Sequence, residues 1–346
     1  MKEFTDAILM EANSYGGEWR NEFSSLYFGG GTPSLLPEKF LDSIFEGIHK
    51  HFNISTNAEV TFEANPDDLS KETLNVLKNL GVNRLSIGTQ SFREEDLKLM
   101  NRAHDSQQAI ESLKLAQDLG FENLNIDLIY GIPGLSLKDW EGQLISFLDL
   151  NIPHLSAYAL TVEPNTILQH QIRKGIVANV TEEEAADHFL LLSQMLRSNG
   201  FEHYEVSNLS KPNWRSKHNS SYWTGKPYLG LGPSAHSFNG NQRFWNIPNL
   251  KKYIESSLER QTLREIEDLN PDQAFNEAVM TGFRTIEGLN KDSVRTRFGD
   301  RIYSELVADI ENLRNPRIKE DDQRFYLEPN DYLYADRIAS DLMRVD

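Results

Sequence analysis

The sequence predicts an α/β protein, a partial barrel of parallel βα units followed by a small C-terminal winged-helix-like α+β module. Three observations predict it. Short β-rich segments alternate with amphipathic helical stretches through the first two-thirds of the 346 residues. Chemically unusual residues stand at five successive strand ends: Gly29-Gly30-Gly31-Thr32, Glu63, Gln90, Asp127 with Tyr130, and Tyr158. Groups so far apart in the chain converge only if the sheet curls, and ligand sites sit at that carboxyl-end face. Beyond Asn270 the pattern becomes helices and then a strand or wing leading into a last helix.

The segment MKEFTDAILMEANSYGGEW reads as an amphipathic helix. Candidate strands are Ser25–Phe28, Glu59–Glu63, Arg84–Gly88, Leu124–Tyr130, His154–Leu160 and His203–Val206. Between them Ser70 caps a helix that stops before Gly81, and Asp105 or Ser106 caps one that stops at Gly120. Thr181 with Glu184 forms a capping box for the helix ending near Gly200. From Pro212 to Lys252 the chain is rich in aromatics, Gly, Asn and Ser with little periodicity, as in a lid or an irregular extension. Asn270-Pro271 starts a helix with proline at its first position. The expected divisions are a partial barrel over 1–211, an aromatic-rich irregular extension over 212–265 and the winged-helix-like module over 266–346.

Composition removes whole classes of function. The chain contains no cysteine, so it offers no disulfide, no thiolate zinc site, no cysteine nucleophile and no thiolate for an iron–sulfur cluster. A formal charge of −17 repels phosphate backbones and anionic lipid, so no nucleic-acid partner is expected. No apolar run is long enough to span a bilayer and the N-terminus has no signal-like apolar core, so a cytoplasmic protein without an integral membrane segment is expected.

Several side chains carry chemistry. Three glycines in YFGGGTPS follow a strand and leave backbone groups open to a zwitterionic ligand; an ordinary βα turn is the other reading. Glu63 in FEANPDD ends the next strand with a carboxylate suited to an ammonium or a ribose, while Asp67 and Asp68 suit a helix start. Gln90 in LSIGTQSF has the donor and acceptor that ribose hydroxyls or an adenine edge require. Arg102 either pairs a carboxylate at the rim or lies on the surface. Asp127, inside the apolar run of NIDLIYGIPG, must face a polar site or be paired. HNSSYW places His218, Asn219, Tyr222 and Trp223 together, a composition suited to ligating or flanking a flat porphyrin, or to a structural aromatic cluster. His236 in GPSAHSF lines the same cavity or satisfies a glycine-rich turn.

YFGGGTPS, FEANPDD, LSIGTQSF, NRAHD, NIDLIYGIPG, YEVSN, HNSSYW and LGLGPSAHSF occur in this order. Together they resemble the oxygen-independent coproporphyrinogen III oxidase family of radical S-adenosylmethionine (SAM) proteins, in its haem-chaperone branch, over nearly the whole chain. The resemblance implies a TIM-like partial (β/α)6 radical SAM barrel. It implies that Gly30, Gly31 and Thr32 hold the methionyl end of SAM, that Glu63, Gln90, Arg102 and Asp127 bind its polar groups, and that Ala159 contacts the adenine. It implies haem binding at His218, Asn219, Tyr222 and Trp223, and transfer of haem to an accepting protein. The alternative it implies is oxidation of coproporphyrinogen III by a SAM-derived radical. Family members also carry CxxxCxxC on a preceding loop, whose thiolates hold a [4Fe–4S] cluster; nothing here corresponds to it, and the first barrel strand is expected to be missing with it. An internal methionine taken as the start is the favoured explanation, and natural loss is the other.

Overall fold

The structure, a computed structural model, describes residues 1–259, 261 and 263–344. The first part of the chain runs α1 (Lys2–Tyr15), β1 (Phe23–Phe28), α2 (Glu38–His51), β2 (Ile54–Ala64), α3 (Lys71–Asn79), β3 (Arg84–Gln90), α4 (Glu94–Leu99), α5 (Ser106–Asp118), β4 (Asn123–Tyr130), α6 (Leu137–Asp149) and β5 (His154–Ala159). There follow α7 (Ile167–Arg173), α8 (Glu182–Ser198), β6 (Glu202–Glu205), β7 (Asn208–Ser210), α9 (Lys217–Trp223), β8 (His236–Phe238), β9 (Gln242–Asn246), α10 (Leu250–Leu258) and β10 (Arg264–Asp268). The chain closes with α11 (Pro271–Phe283), β11 (Leu289–Asn290), α12 (Lys291–Leu313), β12 (Lys319–Glu320), β13 (Arg324–Tyr326) and α13 (Ala335–Leu342).

Seven strands form the main sheet in the order β1-β2-β3-β4-β5-β7-β6. It curls through 193°, a half-barrel. β1 to β5 are parallel neighbours, joined by helical crossovers as such pairing requires. The last two strands correct the expectation of a sixth parallel strand at His203–Val206. β6 pairs with β7 antiparallel and β7 pairs with β5 antiparallel. Only Val206 and Ser207 separate β6 from β7, which allows a hairpin and no crossover.

The expected caps form. Ser70, Asp105 and Thr181 each accept a backbone N–H of their helix, and Thr181 and Glu184 close a capping box. One core lies between sheet and helices, with Phe62, Leu85, Ile126 and Leu155 wholly buried against α3, α5, α6 and α8. A second core joins Ala7, Ile8, Ala12 and Tyr15 of α1 to Ile44 and Ile48 of α2, Phe244 of β9 and Tyr253 of α10. The buried Glu11 pins that contact, accepting from Tyr253 Oη (2.6 Å), Asn246 Nδ2 (2.6 Å) and the Gly232 N–H (2.9 Å).

The segment read as irregular carries regular structure. β8, β9 and β10 form an antiparallel sheet, and α9 lies against β1. Their strands are only three to five residues long, too short to show a period in sequence. In the C-terminal module α12 is kinked at Gly299, whose φ is 87°. The order is therefore helix, strand, two short helices and a β12–β13 hairpin, the succession of a winged helix.

Candidate functional site

Strand alternation builds the site. Val60, Phe62 and Ala64 of β2, Leu85 and Ile87 of β3, Leu124, Ile126 and Leu128 of β4, and Leu155 and Ala157 of β5 point into the helix-covered core. With side chains at a period of two, the concave face receives Glu59, Thr61 and Glu63, then Arg84 and Ser86, then Asn125 and Asp127, then Ser156 and Tyr158. In register, Glu63 neighbours Ser86, Ser86 neighbours Asn125, and Asp127 neighbours Ser156. The concave face is therefore polar. Asn125 knits it, donating to Ser86 Oγ and to Asp127 Oδ1, both at 2.8 Å, and accepting from Ser156 Oγ at 3.1 Å.

The glycine turn lies over the mouth. Gly30 and Gly31 have φ of 74° and 67°, and open space stands where a Cβ would be. At Gly29 a Cβ would lie 2.6 Å from the Tyr27 ring and 2.8 Å from the Glu63 carboxyl carbon, so only glycine fits without displacing them. Glu63 Oε2 accepts the Gly30 N–H at 3.2 Å, and Glu63 Oε1 accepts the Tyr27 hydroxyl at 2.5 Å. Burial and the neighbouring Glu63 raise the Tyr27 hydroxyl far above the ordinary tyrosine range. Thr32 begins the turn that follows, and Ser34 donates to Asp68 Oδ2 at 2.7 Å, tying that turn to the loop after β2.

A second group forms around Arg102. Its Nη2 donates to Asn65 Oδ1 at 2.6 Å and to the Gly88 carbonyl at 3.2 Å. Gln90, at φ 65°, brings its Nε2 within 3.0 Å of the Cβ position of Gly88, with Arg102 Nη2 at 3.5 Å from the same point. Arg102 thus pairs with an amide and a carbonyl rather than with a carboxylate. Asp127 is pushed up to about 6, chiefly by burial, with the charge of Glu63 adding to it. Tyr158 and Ala159 end β5 exposed, with Ala159 in register with Tyr130.

α9 carries HNSSYW and enters the concave face at its first turn. Glu59, 5% exposed, accepts the N–H groups of Lys217 and His218, each at 2.9 Å, and Ser216 Oγ at 3.2 Å. The guanidinium of Arg84, 2% exposed, lies beside it with Nε 3.9 Å from Glu59 Oε2. His218 then stacks on Tyr27 with ring centroids 4.6 Å apart. Its Nδ1 bonds Ser25 Oγ and its Nε2 bonds Tyr222 Oη, both at 3.0 Å. Burial drives the His218 imidazole down to about 4, so it is neutral at physiological pH. The spacing of four places His218 with Tyr222, and Asn219 with Trp223, on two adjoining faces of the helix. Trp223 faces the C-terminal module, with the Arg284 guanidinium 5.4 Å above its ring.

The structure therefore gathers Gly30, Glu63 and Asp127 with His218, and Gln90 with Arg102, around one concave face. Ala159 and Thr32 stand at its rim, while Trp223, one turn after Asn219, lies against Arg284. His236 is exposed and stacks on Trp245, with ring centroids 5.5 Å apart. Sequence reasoning missed Tyr27, Glu59 and Arg84. Glu59 was recoverable, because it is four residues before Glu63 on one strand and must share its face. Tyr27 read as part of an apolar strand end, and nothing local marks its contact with a histidine 191 positions later.

Known proteins resemble this chain. The model of the Radical SAM superfamily matches residues 4–143. The heme chaperone HemW of Bacillus subtilis (strain 168) is 32% identical over 314 residues, covering 89% of this chain and 83% of that protein. The heme chaperone HemW of Escherichia coli (strain K12) is 39% identical over 217 residues, covering 62% of this chain and 56% of that protein. Among solved structures, the coproporphyrinogen III oxidase HemN of Escherichia coli superposes with a TM-score of 0.84 at 22% identity, covering 99% of this chain and 83% of that one. Curled sheet, glycine turn and matched model together define a radical SAM half-barrel protein. Within that class the chain belongs to the HemW family of heme chaperones, and it lacks the CxxxCxxC motif.

Proposed function

We propose that this protein binds haem on α9 and delivers it to an accepting protein in the cytoplasm, with SAM held at the glycine turn. One observation carries the haem assignment. His218 is a neutral imidazole, the form that ligates iron, and its Nε2 is engaged by Tyr222, a residue 42% exposed. Swinging one exposed tyrosine away frees the ligand atom. Nδ1, held by Ser25, keeps the ring oriented as iron-ligating histidines require.

For SAM, the residues present fit. The open backbone at Gly30, Gly31 and Thr32 receives the methionyl end, Glu63 accepts its ammonium, and Gln90, Arg102 and Asp127 meet its remaining polar groups beside Ala159. SAM supplies a sulfonium and an adenosyl group at this mouth; the protein's part is to orient them. An iron–sulfur cluster does not fit this chain, because there is no thiolate to hold it. The alternative activity, coproporphyrinogen III oxidation, requires a radical generated at such a cluster, and the residues of this chain do not supply its ligands. No helix among the described residues is long and apolar enough to cross a membrane.

Two outcomes are expected. Titration with haemin shifts the Soret band, and His218→Ala weakens binding by about tenfold or more; unchanged affinity in the variant removes the ligand assignment. Iron and sulfide reconstitution of the purified chain yields no charge-transfer absorption of a cluster, and a stable brown product with that absorption contradicts the account.

A further inference from the structure

The haem motif and the glycine turn are far apart in sequence, yet a single aromatic ring touches both. Tyr27 donates its hydroxyl to Glu63, whose other oxygen accepts the Gly30 N–H. The same ring stacks on His218 at 4.6 Å, nearly parallel at 21°. His218 is held on its two remaining sides by Ser25 and Tyr222. Glu59 fixes the start of α9, so the helix cannot follow a displaced ring as a rigid body. A change at Glu63 therefore reaches Nε2 of His218 through two contacts.

We propose that Tyr27 couples the two sites, so that a ligand ammonium taking Glu63 loosens the hold on His218 and strengthens haem binding. This rests on the function proposed above. When an ammonium competes for Glu63, the Tyr27 hydroxyl loses part of its acceptor and the ring is no longer fixed at its polar end. The stack then restrains His218 less, and breaking the bond between Nε2 and Tyr222 becomes easier. By linkage, haem must strengthen the binding of that ligand by the same factor. Tyr27 is a positioning residue: it ligates nothing itself.

Gly29 offers a test that needs no ligand. A Cβ there would lie 2.6 Å from the Tyr27 ring and 2.8 Å from the Glu63 carboxyl group, so Gly29→Ala drives the two apart from a position outside α9. Its backbone needs no positive φ, so alanine introduces no conformational strain.

The experiment is a haemin titration of the full chain, with and without millimolar SAM. In the wild type, SAM tightens haemin binding roughly fivefold or more. Tyr27→Phe keeps the stack and loses the hydroxyl, so its haemin affinity with and without SAM is the same. Gly29→Ala binds haemin more tightly than wild type before SAM is added, and SAM adds little. A wild-type affinity that SAM does not raise overturns the coupling, as does a full SAM response in Tyr27→Phe. His218→Ala separates the two claims. If it binds haemin like the wild type, the haem assignment fails; if it loses haemin while SAM has no effect on the wild type, the coupling alone fails.

Discussion

Glu59→Ala lowers the stability of the folded protein by roughly 3–5 kcal/mol, the cost of breaking one partner out of a buried ion pair. The carboxylate is 5% exposed and answers three donors at the start of α9 as well as the Arg84 guanidinium. Its removal leaves Arg84, 2% exposed, without its ion-pair partner, and strands two backbone N–H groups. At 3.9 Å the Arg84 contact is an ion pair without a hydrogen bond, so the cost combines an unpaired buried charge with the donors freed at the helix start. Glu59→Gln keeps an acceptor oxygen and loses the charge, and it falls between the two. Urea unfolding measures the change in midpoint, and hydrogen exchange at Lys217 to Trp223 locates it. If Glu59→Ala unfolds within about 1 kcal/mol of the wild type, close to the scatter of a surface substitution, α9 is not anchored in the concave face.

The second large effect has the opposite sign. Asp127 titrates at about 6 in the folded protein against 3.8 for the free side chain, because burial and Glu63 disfavour its charge. The folded state therefore binds the proton more tightly than the unfolded state. The favourable contribution is complete below pH 3.8 and is lost as the pH rises through 6. Near neutral pH the ionised carboxylate costs the fold about 3 kcal/mol. Asp127→Asn does not titrate and can still accept from Asn125 Nδ2, so it stabilises the protein by that amount at pH 7 and by less than about 1 kcal/mol at pH 4. A set of thermal melts across this range reads the difference. Under the proposed SAM site, the same variant also weakens SAM binding. Equal stability of variant and wild type at every pH refutes the assignment of a carboxylate whose charge the fold disfavours.

Much of the fold was legible in the sequence. The parallel βα order was written in the alternation of apolar runs with capped helices, and the curl followed from polar residues at Glu63, Gln90 and Asp127, which an open sheet would scatter. The hairpin of β6 and β7 escaped because its strands are four and three residues long, too few to distinguish an antiparallel turn from the start of another crossover. The small sheet of β8, β9 and β10 escaped for the same reason, within a stretch whose aromatics pack on α1 and α2. Within the site, residues at the ends of strands were found, because an acid or amide there breaks an apolar pattern. Tyr27 and Arg84 were not, because a tyrosine at a strand end and an arginine at a strand start are ordinary there. Only the approach of α9 to β1 gives them a role.

The pairing of His218 with Tyr222 refines the motif itself. The sequence places the four side chains of HNSSYW together, but a helix distributes them over two faces, and His218 and Tyr222 share the one against β1. Trp223 lies instead beneath Arg284, where it joins α9 to the C-terminal module.

Resonance Raman spectroscopy of the ferrous haem complex reads the iron–ligand bond itself. An iron–histidine stretching band in the wild type that disappears in His218→Ala is the result expected of an imidazole released from Tyr222. The same band persisting in the variant would place the iron on another residue and detach haem from the concave face altogether.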